Sequence, residues 1–244
     1  MTPADIGLLL SIFAAATLYS SVGHAGASGY LAAMAFFSVA PEQMKPAALV
    51  LNVLVALVTS YRFVRAGAFE WRLFLPLAAL SVPMAFVGGL WTLPARWYQY
   101  LLAGALLLGA LRLVWAPTAG EREPHLPAWW LASGLGAMIG LLSGLTGVGG
   151  GIYLTPVILF AGWARPREAS GISAVFILVN SIAGLAGRWQ ASPAFPEALP
   201  YWATAAVAGG LIGSYLGVKK FGSEGLKRAL AAVLLIAAAK LIFS

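Results

Sequence analysis

The segment GLTGVGGGIYLTPVILFAG occupies residues 144–162 and places five glycines within eight positions, directly before a long apolar run. Each glycine disfavours a continuous helix by about 1 kcal/mol relative to alanine, so the cluster predicts a break in the helix. An unwound backbone at membrane depth persists only where protein or a water-filled cavity satisfies its polar groups. The segment therefore predicts two helices that meet at an enclosed glycine-rich turn.

The composition of the whole chain is that of a membrane protein. Of 244 residues, 61% are hydrophobic and only 9% are charged, whereas a soluble domain carries about 25% charged residues. Apolar runs of about 14 to 20 residues recur along the chain, and about 20 such residues cross a bilayer as a helix. The runs lack the polar–apolar alternation of membrane β-strands. We therefore predict an all-α polytopic membrane protein.

A second, weaker copy of the glycine-rich segment lies in the first half of the chain. GHAGASGYL at 23–31 aligns with TGVGGGIYL at 146–154, so that Gly26 corresponds to Gly149. Self-similarity at a fixed shift indicates repeated architecture. Two further pairs correspond in the same order, at shifts between 121 and 123: Ala47 with Ala169, and Gly88 with Gly209.

The repeat predicts two transmembrane units, residues 1–117 and 128–244, joined by a charged linker at 118–127. The segments 27–41 and 150–163 are about 21 Å long as helices, shorter than a bilayer core of about 30 Å. They either extend the helices before them or turn back, as full crossings or as re-entrant hairpins. The helical segments predicted in each unit are 5–22, 27–41, 46–63, 71–93 and 97–115, then 128–145, 150–163, 168–187, 198–217 and 226–243.

The distribution of basic residues favours segments that all turn back. In that arrangement one face of the membrane receives 11 Lys and Arg residues and the other receives four, Lys45, Arg96, Arg188 and Lys240. If each short segment extends its predecessor, the split is 8 to 7, which lacks the asymmetry of the positive-inside rule. Five segments per unit then place both termini outside the cytoplasm and invert the second unit relative to the first. Inverted repeats are typical of secondary transporters.

The two glycine-rich turns are the predicted substrate site. The free N–H groups of a helix that restarts after such a turn favour an anion, and small neutral donors can hydrogen-bond a desolvated oxyanion. The alternative is that the glycines only permit close helix packing; we prefer this for Gly88-Gly89 and Gly209-Gly210. The candidate substrate-binding residues are His24, Gly26, Ser28, Asn52, Ser60, Thr146, Gly149, Gly150, Gly151, Ser173 and Asn180.

Other classes of site are disfavoured by the residues present. All eight carboxylates fall in predicted loops or at segment ends, although proton- and sodium-coupled carriers often keep one within a span. No HExxH motif, paired carboxylates or Ser/His/Asp arrangement is visible, and without cysteine there is neither a disulfide framework nor a thiolate metal site. We expect no enzyme activity, no metal and no cofactor.

The segment at 144–162, followed by a basic turn and the pattern AxGxS at Ala169, Gly171 and Ser173, is similar to the signature of the TauE/SafE sulfite exporter family. The GxGGG-x-x-x-x-P core runs from Gly147 to Pro156, and the first copy carries His24 and Ser28 in place of glycine. The resemblance covers nearly the whole chain. It implies a permease for sulfite, sulfoacetate or other organosulfonates, with the translocation site at the two glycine-rich segments.

We therefore predict an inner-membrane transporter of small sulfur-containing oxyanions, with substrate bound near the midplane between the two glycine-rich breaks. The alternatives are a cation-coupled or cation carrier and a membrane assembly protein without a pathway. The expected partners are the anionic substrate and the lipid bilayer; a homodimer is possible, and no nucleic acid is expected.

Overall fold

The computed structural model describes residues 2–114, 124–190 and 193–219, together with residues 235, 238, 239 and 242. These residues form helices and connecting turns without a strand. Residues 118–123 of the predicted linker and most of the predicted segment 226–243 lie outside the described residues. The helices are α1 (Pro3–Ser21), α2 (Ala27–Phe36), α3 (Pro41–Arg65), α4 (Trp71–Leu90), α5 (Ala95–Val114), α6 (Trp129–Thr146), α7 (Gly151–Phe160), α8 (Pro166–Trp189) and α9 (Leu199–Lys219).

Five of these helices are long and apolar enough to cross a membrane: α1, α3, α4, α6 and α8. The order of helices agrees with the prediction from sequence, but four boundaries differ by three residues or more, among them the end of α4 at Leu90 rather than at 93. Helix α3 begins at Pro41 rather than at 46, because Pro41 occupies the first turn, where proline is tolerated. Helices α2 and α7 end earlier than predicted, because Ser38 and Gly162 turn the chain with positive φ angles of 59° and 66°.

Helices α2 and α7 each have ten residues, about 15 Å at 1.5 Å per residue, and both turn back along the preceding helix. In the first unit, Ser28 Oγ donates to Tyr19 Oη, and a Cβ on Gly29 would lie 2.6 Å from Ala15 Cβ. In the second unit, the N–H of His125, just before α6, donates to the carbonyl of Gly162, just after α7. These contacts favour the prediction that each short segment turns back.

Two pairs of parallel helices join the predicted units: α4 packs against α6, and α1 packs against α9. A Cβ on Gly140 of α6 would lie 2.1 Å from the Ser81 carbonyl of α4, and one on Gly213 of α9 would lie 2.0 Å from the Thr17 carbonyl of α1. Glycines at four-residue spacing let these backbones touch. The glycine pairs assigned to packing behave as predicted, since a Cβ on Gly88 or Gly209 would meet a carbonyl oxygen at 2.5 Å.

Helices α3 and α8, which correspond in the repeat, cross at the centre in opposite directions. Leu49 of α3 lies against Gly184 of α8, and Asn52 lies opposite Ser181 across Gly149. The sequence numbers fall along α8 as they rise along α3, so the two helices are antiparallel. The two glycine-rich turns reach this central pair.

Candidate functional site

Both glycine-rich turns are breaks between helices, as predicted. Gly147, Gly149 and Gly150 have φ angles between 80° and 84°, and Gly150 caps α7 in the left-handed conformation. In the first unit, Gly26 caps α2 with a φ angle of 108°. Non-glycine residues rarely adopt this conformation, which costs them roughly 1–2 kcal/mol. Glycine is therefore the residue type that adopts these backbone angles without strain.

An unpartnered polar pair faces the second turn. Asn52 of α3 and Ser181 of α8 are fully buried, and neither the Asn52 amide nor the Ser181 hydroxyl has a hydrogen-bond partner among the described residues. A Cβ on Gly149 would lie 2.8 Å from Asn52 Nδ2 and 3.0 Å from Ser181 Oγ. Leaving a buried polar group unsatisfied costs about 1–3 kcal/mol. This arrangement is suited to a bound molecule that supplies the missing hydrogen bonds.

The amino-terminal end of α7 lies beside this pair. The first N–H groups of a helix have no acceptor within that helix, and among the described residues no other backbone acceptor faces those of Gly151 and Ile152. The helix dipole adds a partial positive charge at this end. The combination of free N–H groups, an amide and a hydroxyl offers hydrogen bonds to an anion without a full opposite charge.

His24 connects the first turn to the second unit. It is 2% exposed, with Nδ1 3.1 Å from the Val22 carbonyl and Nε2 3.0 Å from the Gly151 carbonyl. Nε2 also lies 3.1 Å from Thr155 Oγ1, which in turn lies 2.5 Å from Ser173 Oγ. The hydrogen-bonded chain His24–Thr155–Ser173 runs along α7 on the side of Gly151.

Several predicted site residues are engaged elsewhere. Asn180 accepts a hydrogen bond from Ser81 Oγ at 2.6 Å and donates to the Phe176 carbonyl at 2.8 Å, so it joins α8 to α4. Thr146 donates to the Leu142 carbonyl within its own helix, and Ser28 donates to Tyr19. Their side chains stabilise the helices around the turns.

The remaining predicted residues divide between the two turns. Gly26 lies against the Tyr30 ring, and Gly150 lies against Phe176 and Ile139. Ser60 is buried and its hydroxyl has no hydrogen-bond partner among the residues described, but it lies two turns beyond Asn52 in α3. Of the predicted set, the structure therefore brings Asn52 to Gly149, and it joins His24, Gly151 and Ser173 in a separate polar chain along α7.

The sequence-based site list omitted two residues of this cluster. Ser181 corresponds to no motif, but it follows Asn180 and occupies the face of α8 that meets Gly149. Thr155 lies one turn after Gly151, and its hydroxyl contacts both His24 and Ser173. The signal that could have identified Thr155 is its four-residue spacing from the last glycine of the cluster.

Comparison with known proteins agrees with the family resemblance found in the sequence, over nearly the whole chain. Residues 8–241 match the family described as Sulfite exporter TauE/SafE. A probable membrane transporter protein of Sinorhizobium fredii, y4hK, is 37% identical over an alignment of 249 residues that covers all of both chains. The probable membrane transporter protein YjnA of Bacillus subtilis is 30% identical over 113 residues, 44% of each chain.

No solved structure gives a significant match to the chain. The family match spans both repeat units and both glycine-rich turns, and the full-length relative is a probable membrane transporter. The chain therefore belongs to the TauE/SafE sulfite exporter family of membrane transporters.

Proposed function

We propose that this transporter carries a small sulfur-containing oxyanion, of the sulfite or organosulfonate class, across a bacterial inner membrane. The observation that carries the proposal is the unpartnered pair of Asn52 and Ser181 against the turn at Gly149. In this proposal the anion binds between the polar pair and the turn at Gly149, and the close contacts there mean that these elements separate to admit it. It accepts hydrogen bonds from both side chains and from the first N–H groups of α7.

The chemistry of the cluster suits an oxyanion that has to be released again. Hydrogen bonds to a charged group contribute about 1.5–3 kcal/mol each, and several neutral donors can compensate for part of the lost hydration. Among the described residues, no Asp or Glu is buried in the cluster, so no fixed negative charge repels the substrate there. A cation would need oxygen ligands, whereas the free groups at the end of α7 are N–H donors.

The directions of the helices support a transporter built from inverted repeats. Corresponding helices α3 and α8 are antiparallel, whereas α1 runs parallel to α9 and α4 runs parallel to α6. This pattern is expected if each segment turns back and the second unit is inserted upside down. The substrate then binds where the two units meet, which is the geometry of alternating access around a fixed site.

In this proposal, the hydrogen bonds of His24 connect the two units. The imidazole belongs to the first turn but contacts Gly151 and Thr155 of the second unit. A change at either turn therefore alters the position of the first residue of α7. Both termini are extracytoplasmic in this topology.

Uptake by proteoliposomes tests the proposed function. Liposomes containing the purified protein should accumulate radiolabelled sulfite or a small sulfonate, and unlabelled sulfite should compete more strongly than chloride. A membrane assembly protein predicts the same uptake as protein-free liposomes, and a cation carrier predicts sodium or potassium uptake that excess sulfite does not reduce. Either result would overturn the proposal.

The Ser181→Ala variant connects uptake to the site. It should raise the KM for sulfite about tenfold, because one hydrogen bond to a charged ligand is removed. The matched control is Ser133→Ala, since the buried Ser133 hydroxyl donates only to the Pro76 carbonyl and lies outside the cluster. Equal kinetics in the two variants would contradict a substrate site at Ser181.

A further inference from the structure

A second polar site lies where α4 connects to α5. A cavity of about 240 Å³ opens there and is lined by Glu42, Lys45, Trp91, Tyr98 and Arg188, among other residues. Lys45 and Arg188 are only 7% and 8% exposed. Buried cations are rare unless they are paired or functional. We refer to this space as the Arg188 cavity.

The Lys45 ammonium donates its hydrogen bonds to backbone carbonyls of the protein. Its Nζ lies 3.0 Å from the Gly88 carbonyl, 3.4 Å from the Gly89 carbonyl and 3.2 Å from the Trp91 carbonyl. These groups form the carboxyl end of α4, and an ammonium has three protons to donate. Lys45 therefore offsets the negative end of the helix dipole, which would otherwise repel an anion from the cavity.

Arg188 has donor groups that are not hydrogen-bonded to the described residues. Its Nη1 donates to Thr92 Oγ1 at 2.9 Å, whereas its buried Nε has no partner in the part of the chain that the structure describes. A guanidinium has five donors in a planar fork and stays charged. Two oxygens of a sulfite or sulfonate group match such a fork and would satisfy the donor that the protein leaves unpaired.

The Arg188 cavity is aligned with the proposed central site. Arg188 follows Ser181 by seven residues in α8, and Lys45 precedes Asn52 by seven residues in α3. Seven residues are about two helical turns, so the cavity lies on the same faces of both helices, about 10 Å from the polar pair. Gly147 of the second turn also lies against Lys45, since its Cβ would be 3.2 Å from the Lys45 carbonyl.

We propose that the Arg188 cavity is a second oxyanion-binding site, at the face that the charge distribution predicts to be extracytoplasmic. It holds the transported anion on the Arg188 guanidinium, two helical turns from the central site. The identity of this anion rests on the proposed function. Glu42 places a negative charge in the same lining, which limits the affinity for an anion and permits its release.

Equilibrium binding of radiolabelled sulfite to the purified full-length protein tests this site. Wild-type protein should bind two sulfite ions per chain, and Arg188→Gln should bind one, with a KM for uptake at least about tenfold higher. Arg188→Lys keeps the charge but not the fork, and should weaken the same site about threefold. Arg96→Gln is the matched control, because Arg96 is an exposed cation predicted at the same face and is not part of the lining.

The outcomes separate the two proposals. One sulfite per chain in wild type, with unchanged uptake in Arg188→Gln, would overturn the Arg188 cavity and leave the transport function intact. Binding that depends on Arg188 without any sulfite uptake by wild type would overturn the transport function and retain the cavity as an anion site. If Arg188→Gln fails to fold, Arg188→Lys decides, and wild-type affinity and stoichiometry in that variant would refute the site.

Discussion

Substituting alanine for Gly149 places a methyl group in the proposed position of the substrate. The added Cβ would lie 2.8 Å from Asn52 Nδ2, 2.9 Å from Ile177 Cγ2 and 3.0 Å from Ser181 Oγ. The φ angle of 82° adds roughly 1–2 kcal/mol of backbone strain for a residue with a side chain. The variant should fold with reduced stability and lose access to two hydrogen-bonding groups. Each contributes about 1.5–3 kcal/mol to binding a charged ligand, so the KM for sulfite should rise at least about tenfold.

Gly67→Ala is the control that separates strain from obstruction. Gly67 has a comparable φ angle of 70°, but a Cβ there would meet nothing within 4 Å. The two variants should therefore show comparable backbone strain, and only Gly149→Ala should impair uptake. The assays are the thermal midpoint in detergent and the initial rate of sulfite uptake into liposomes. Wild-type uptake by Gly149→Ala, or equal loss in both variants, would refute the reasoning.

Three further predictions follow from contacts elsewhere in the chain. Gly140→Ala should prevent stable folding, because its Cβ would lie 2.1 Å from the Ser81 carbonyl. Gly134→Ala is the control in the same helix: a Cβ there has open space, so the variant should be about 1 kcal/mol more stable in thermal unfolding in detergent. His24→Ala should lower sulfite uptake about tenfold, because Gly151 and Thr155 lose their buried partner; His125→Ala, at an exposed position, should not. The chain has no cysteine, so Arg72→Cys and Tyr201→Cys, at the starts of corresponding helices α4 and α9, should react with an impermeant maleimide from opposite faces; labelling from one face would contradict inverted repeats.

The arrangement of helices was largely predictable from the sequence, because glycine clusters and basic residues carry information about backbone and orientation. The breaks before Ala27 and Gly151 follow from the helix propensity of glycine alone. The end of α2 did not, since Ser38 adopts a positive φ angle that is uncommon for serine, whereas the end of α7 had an available signal in Gly162.

Individual side chains of the site were less predictable than the turns. Asn52 and Asn180 are both buried amides in corresponding helices, yet Asn180 is hydrogen-bonded to Ser81 and Asn52 has no partner within the described ranges. The difference depends on how α4 and α8 pack, which no local pattern encodes. Arg188 was counted only as a charge on the face that carries few basic residues. Its position on that face was the available signal for a functional role, because the positive-inside rule disfavours it there.

The most direct test of the central claim is an experimental structure determined with selenite, an analogue of sulfite whose selenium can be located by anomalous scattering. We expect a selenium peak within hydrogen-bonding reach of Asn52, Ser181 and the first N–H groups of α7. A fully occupied selenium site elsewhere in a protein that transports selenite, with the space at Gly149 filled by the protein itself, would contradict the account.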